Sequence, residues 1–165
     1  MNHQNHQTVS QALVFGLTRL GNQRIQPKAW VYFVWVVVAK QVHCKIGQSI
    51  NPSERIAQVT SAIPQIPFYI QLLPCINLEQ ARLFEKMLHN HLNDFRARRK
   101  SEWFTDPNLN RLSVQIRAKV NEILALANSF GYVIQLQGIE RSGPYPVLYP
   151  NGYVDYVVDP TNKAR

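Results

Sequence analysis

One carboxylate in this sequence falls where its own helix has little use for it. From Leu78 to Phe95 the apolar residues recur at helical spacing, and at about 100° per residue Ala81, Phe84, Leu88, Leu92 and Phe95 share one stripe. Glu85 falls at the edge of that stripe, between Leu92 and Leu78, so it points toward the core or toward a cleft beside it. A carboxylate taken out of water costs several kcal/mol unless it is paired, protonated or coordinated. A divalent metal, Arg55, Lys45, or His89 one turn further on could compensate it, and so could an ordinary salt bridge at the rim. His89 is a second ligand, a proton carrier or a packed histidine; His91 faces elsewhere, so the pair cannot chelate from one helical face.

Immediately after this helix, Arg96, Arg98, Arg99 and Lys100 place four cations in five residues. Such a run is either a solvated loop or a contact to a phosphate backbone. Across the 165 residues, 18 Lys and Arg face 10 Asp and Glu, for a net charge of +8 and a pI near 9.8. That excess favours polyanionic partners, with nucleic acid ahead of an anionic membrane surface. The longest apolar run, Ala29 to Ala39, is too short for a membrane-spanning helix, which needs about 20 residues. The polar start, Met1 to Gln7, has no cationic or apolar signal segment, so a cytoplasmic protein is expected. Cys44 and Cys75 each lie in an expected strand without metal-ligand spacing, and read as small buried hydrophobes of a reducing compartment.

The elements that must position these residues follow from pattern. Residues 1–7 are expected to be disordered, 8–20 to form a short helix broken at Gly16, and 21–28 to be a linker. Trp30–Val38 is aromatic and β-branched on both faces, which predicts a central strand covered on both sides. A short turn leads to a second strand, His43–Ser49, in an antiparallel hairpin. Asn51 and Pro52 read as N-cap and first residue of a helix with Ile56 and Val59 on its apolar face, ended by Pro64 and Pro67. Phe68–Cys75 is a third strand, and Asn77 caps the long helix of about 20 residues that carries Glu85. After a loop, Ser101–Phe104, a helix runs from Asp106–Pro107 to Phe130 and stops at Gly131. Pro150–Asn151–Gly152 predicts a hairpin between Val147–Tyr149 and Tyr153–Val158. Its tyrosines, Tyr145, Tyr149, Tyr153 and Tyr156, could stack on bases or pack the hairpin. The fold class is α+β: a small mixed or antiparallel sheet in a β-β-α-β-α core, flanked by helices, with a further C-terminal helix and β hairpin.

Trp30–Val31–Tyr32, then Lys45–Ile46–Gly47, then Arg55, then Glu85 with Leu88–His89, and finally Glu102–Trp103–Phe104 stand in an order that resembles the GIY-YIG nuclease superfamily, in its branch with a Lys-Ile-Gly second motif. The resemblance covers residues 30–106 and departs from the pattern at Trp30, in the place of a glycine, and at Lys45, in the place of a tyrosine. It implies that Tyr32 lies near the scissile phosphate and supplies the nucleophile or its base with a water. It also implies that Arg55 contacts the phosphate, that Gly47 ends its strand where the chain must turn, and that Glu85 holds one divalent metal, Mg²⁺ or Mn²⁺. The chemistry wants these types. Negative charge gathers on the transferring phosphoryl group, and a guanidinium and a metal stabilise it best in a partly dry site. A free tyrosine titrates near 10, so base chemistry at neutral pH needs a nearby cation such as Lys45 or the metal.

The resulting expectation is a metal-dependent endonuclease hydrolysing DNA, with RNA as a possible substrate, no membrane role and an oligomeric state the sequence leaves open. Its site is Tyr32, Lys45, Arg55, Glu85 and His89, with Glu85 as metal ligand and Arg96, Arg98, Arg99 and Lys100 on the backbone. The alternatives are a nucleic-acid-binding module on the same fold without catalysis, and a protein-interaction domain. The expected organisation is an N-terminal extension over 1–29, a nuclease-like domain over 30–106, and a C-terminal extension over 107–165.

Overall fold

The structure, a computed structural model, describes residues 18–20, 23–39, 41–65, 67, 69–107, 109–134, 137–140, 145–148 and 154–157. In chain order these form β1 (Thr18–Leu20), β2 (Gln23–Ile25), β3 (Ala29–Val38), β4 (Gln41–Ser49), α1 (Pro52–Ser61), β5 (Tyr69–Cys75), α2 (Leu78–His91), β6 (Trp103–Thr105), α3 (Leu109–Ser129), β7 (Tyr132–Ile134), β8 (Gln137–Glu140), β9 (Tyr145–Leu148) and β10 (Val154–Val157). The fold is α+β, as the sequence pattern implied. Its main sheet has five strands in the order β6-β4-β3-β5-β8, each neighbour antiparallel.

β3 is central because both of its faces are apolar. Val31, Phe33 and Trp35 join the larger core with α2 and α3, through Ala81, Phe84 and Leu88 of α2 and Leu112, Ile116, Val120 and Ile123 of α3. Tyr32, Val34 and Val36 face the other way and pack with Ile70, Leu72 and Ile56, the last from α1. The sheet is therefore a middle layer, with α1 on one side and α2 and α3 on the other. Strand alternation does this sorting: a period of two sends neighbours to opposite faces. Both caps read from sequence are in place. Asn51 Oδ1 accepts from Glu54 N at 3.4 Å, and Asn77 Oδ1 accepts from Gln80 N at 2.8 Å. Cys44 and Cys75 are buried and free, and burial pushes the Cys75 thiol up to about 12.

Several elements differ from expectation. Residues 18–20, read as the end of a helix, are β1, and the supposed linker contains β2; β1 pairs with β2 and β7 in a separate three-stranded sheet. Pairing with a distant strand overrode the local pattern there. The rest of the expected N-terminal helix, and residues 1–7, lie outside the described residues. The helix carrying Glu85 stops at His91 rather than Phe95; Leu92 caps it and Asn93–Phe95 is a 3-10 turn. Trp103 and Phe104, expected in the loop Ser101–Phe104, belong to the edge strand β6. β8, which sequence reading did not find, closes the opposite edge against β5. The C-terminal hairpin is present as β9 paired with β10; how its tyrosine side chains pack lies outside the described residues.

Candidate active site

The first pair of functional side chains is fixed by strand register. Tyr32 of β3 lies opposite Gly47 of β4. A Cβ built on Gly47 would lie 2.5 Å from Tyr32 Cζ, so the tyrosine ring occupies the room that any other residue would fill. Tyr32 is 1% exposed. Burial raises its pKa above the usual tyrosine value, while the nearby Arg55 guanidinium pulls the other way. Arg55 itself is exposed, in the first turns of α1, and its Nη1 donates to Gln58 Oε1 at 3.2 Å. Lys45 or a metal was expected to act on Tyr32; within the protein, the cation whose charge lowers the Tyr32 pKa is Arg55.

Lys45 is committed elsewhere. Its Nζ donates to Glu102 Oε2 at 2.6 Å and stands 5.7 Å from the centre of the Trp103 ring. Burial alone would raise the Glu102 carboxyl, but the Lys45 hydrogen bond and charge hold it below the ordinary value. The register Lys45↔Trp103 of the β4–β6 pair puts these partners side by side.

Glu85 and His89 come from α2, on the opposite side of the sheet from Tyr32. Groups on two faces of a sheet can meet only round an edge, and β6 leaves one open. It pairs with β4 only as far as Lys45, and beyond it Ile46 N donates to Glu102 O at 3.1 Å. At that short edge His89 Nε2 lies 2.9 Å from Ile46 O. A carbonyl only accepts, so Nε2 carries the proton. Burial lowers the His89 pKa, which keeps the ring neutral at neutral pH. Its Nε2 lies 4.0 Å from Glu85 Oε1. Burial raises the Glu85 carboxyl, the negative Glu102 raises it further, and Lys45 and Arg82 oppose the rise. Glu85 is thus a half-buried carboxylate with cations near it but none bound to it among the described residues. The fields of Glu85 and Glu102 both reach the Tyr32 hydroxyl.

Glu85, His89 and Glu102 line an open cleft of about 430 Å³, whose cations are Lys86, Arg96 and Lys100. Of the expected site residues, Glu85 and His89 line this cleft, Lys45 joins it through its bond to Glu102, and Tyr32 and Arg55 are not among its lining residues; two of the four expected backbone contacts, Arg96 and Lys100, line it too. Arg96 also braces its own loop: its Nε donates to Asn93 Oδ1 at 3.1 Å, its Nη1 to the Ser101 carbonyl, and it stacks on Phe104 at 5.3 Å. Lys100 adopts φ 62, a left-handed conformation that non-glycine residues rarely hold. Arg98 and Arg99 are exposed and do not line the cleft. Sequence reading gave Glu102 only a share in an aromatic edge anchor. Its place in the site depends on pairing with Lys45, 57 residues away, and no local spacing signals that.

The model of the T5orf172 domain matches residues 29–128. The chain belongs to the T5orf172 domain family. The resemblance to the GIY-YIG superfamily is thereby corrected, since the matching family is a different one. Its short motifs have a simpler cause: Trp30–Val31–Tyr32 and Lys45–Ile46–Gly47 are paired hairpin residues, with a glycine where a tyrosine ring crosses the partner strand. T5orf172 domains form a nuclease-like, DNA-binding family. No curated protein and no solved structure matches the chain. Among the described residues, no helix is long and apolar enough to cross a membrane.

Proposed function

We propose that this protein hydrolyses phosphodiester bonds of DNA at the open edge of its sheet, with Tyr32, Arg55 and Glu85 around the reacting phosphate. The observation that supports the reading is the open cleft in which Glu85, a half-buried carboxylate, stands with His89 and the cations Lys86, Arg96 and Lys100, next to a β3–β4 hairpin that holds Tyr32 against Gly47. In hydrolysis a water oxygen bonds to phosphorus, one ester oxygen leaves, and a proton passes from the water to the leaving side. Arg55 is exposed and positively charged, so it can bind the non-bridging oxygens and offset their growing charge. Tyr32 stays protonated at neutral pH and orients water or phosphate by hydrogen bonding, because burial disfavours its anion.

A divalent cation fits this donor set in one particular way. Among the described residues no three His, Cys, Asp or Glu side chains converge on a common point, so a closed protein cage does not exist. Mg²⁺ needs only one or two protein carboxylates, with phosphate and water as its other ligands. Glu85, short of a bound partner, is the residue that would hold it, with Mn²⁺ as the alternative ion. When bound, such an ion supplies Lewis-acid stabilisation of the phosphoryl group.

A second reading, nucleic-acid binding without catalysis, draws on the same burial of Tyr32 and on the engagement of Lys45 by Glu102. Incubation of pure protein with supercoiled plasmid, linear duplex, single-stranded DNA and RNA, with Mg²⁺, Mn²⁺ or EDTA, separates the two. Metal-dependent cutting lost in Glu85→Ala and Tyr32→Phe is the expected result. Salt-sensitive binding with no cutting of any substrate would leave the binding module.

A further inference from the structure

Helix α2 presents a second line of cations beside the cleft. Arg82 and Lys86 are both exposed and stand one turn apart, and Asn90 continues the line by a further turn. Lys86 and Asn90 line the same cleft as Glu85 and His89. Residues four apart are about 6 Å apart along a helix, so long side chains there can reach separate phosphates of one strand. Arg82 has Glu79 three residues before it and Glu85 three after, yet among the described residues neither Arg82 nor Lys86 lies within ion-pair distance of any carboxylate. Like charges one turn apart weaken a helix by a few tenths of a kcal/mol. Elsewhere the protein does pair its helix charges, as Lys119 does with Glu122 at 2.8 Å in α3. A cation that lines a polar cleft, Lys86, with a second one turn away on the same helix, Arg82, neither in a salt bridge among the described residues, suits an anion from outside.

We infer that Arg82, Lys86 and Asn90 form a track for the nucleic-acid strand, gripping the phosphodiester backbone as it leaves the cleft beside Glu85. The inference rests on the functional reading above and extends it to a surface outside the reacting centre. The track continues the cationic side of the cleft made by Arg96 and Lys100. It reads no base, because ammonium and guanidinium groups on a helix surface meet phosphates without sequence information.

The test uses the full chain carrying Glu85→Gln, which is expected to bind without cutting and removes any influence of Arg82 on that carboxylate. Fluorescence anisotropy with a labelled duplex and a labelled single strand is recorded across a salt series in EDTA. Arg82→Ala and Lys86→Ala are each expected to weaken binding several-fold. Each should also lower the slope of log affinity against log salt by about 0.9 on duplex, or about 0.7 on single strands. Alanine favours helix at such exposed positions, so the variants should fold, and an unchanged melting temperature checks this. Arg117→Ala, an exposed cation of α3 that does not line the cleft, is the charge-matched control. Slopes unchanged in Arg82→Ala and Lys86→Ala, or lowered as much by Arg117→Ala, would overturn the track while leaving the reacting centre intact. Absence of any salt-sensitive binding in the parent would overturn the functional reading with it.

Discussion

The Tyr32 ring lies over the α carbon of Gly47, its partner across the β3–β4 hairpin. Tyr32 is central in the sheet, so its hydroxyl can extend across β4 toward Arg55 only if position 47 has no side chain. Gly47→Ala should therefore push the ring aside rather than break the hairpin. We expect a loss of about 1–3 kcal/mol from overpacking and a fall in cleavage of at least tenfold. Tyr32→Phe should keep the stability and lose only the activity. Thermal unfolding and cleavage assays on both variants check this, and a fully active Gly47→Ala would show that the ring position is not what Gly47 protects.

Glu85 should cost the metal-free protein stability. Its folded pKa is raised, so the native state holds that proton more tightly than the unfolded chain. Its contribution is complete below the unfolded value, near 4.5, and is lost as pH rises through the folded pKa. Glu85→Gln should then match the wild type near pH 4 and melt higher near pH 7, in EDTA, while losing cleavage. Mn²⁺ should raise the wild-type melting temperature and leave the variant unmoved. A variant that is less stable than wild type at neutral pH would mean that Glu85 is satisfied by a structural partner.

The α+β class, the central double-covered strand and both helix caps were legible because they rest on local periodicity and on side chains near their own backbone. Ile56 and the α2 stripe came from the same source. The position of Glu85 at the edge of that stripe was also readable, since helical geometry alone sets it. β1, β2, β6 and β8 were not readable. β1, β6 and β8 are only three or four residues long and each pairs with a distant strand, while β2 is a three-residue strand paired with its neighbour β1. The same reason hid Glu102 as the partner of Lys45: strand register joins β4 to β6 across more than 50 residues, and no spacing in sequence encodes that contact.

His89 should act on stability in the opposite pH direction from Glu85. Burial lowers its folded pKa, so the unfolded chain takes up a proton first as pH falls. Its contribution is present above the unfolded value, near 6.5, and is lost as pH falls through the folded pKa. His89→Gln should remove that dependence. It should also cost about 1–2 kcal/mol at neutral pH, because the Nε2 bond to the Ile46 carbonyl and the packing on Phe104 are disturbed. Melting curves from pH 5 to 8 would decide the matter, and an unchanged slope in the variant would remove His89 as the titrating group.

The Lys45–Glu102 pair should behave as a unit with an effect on Glu85. Lys45 is 12% exposed at its side chain and Glu102 43%, so removing the carboxylate strands a mostly buried ammonium. Lys45 is also one of two cations that act on Glu85. Freed from Glu102, its charge can swing toward Glu85 and compete with a divalent ion there. Glu102→Gln should accordingly weaken Mn²⁺ binding by more than the loss of one remote charge explains. Lys45→Met combined with Glu102→Gln should recover part of that binding. The stability coupling between the two sites should be about 1 kcal/mol or less, given the exposure of Glu102. Calorimetric titration of Mn²⁺ into the wild type, both single variants and the double variant measures both quantities. Equal Mn²⁺ affinity in Glu102→Gln and in the double variant would show that Lys45 does not compete at Glu85, and would reduce Glu102 to an anchor of the β4–β6 edge.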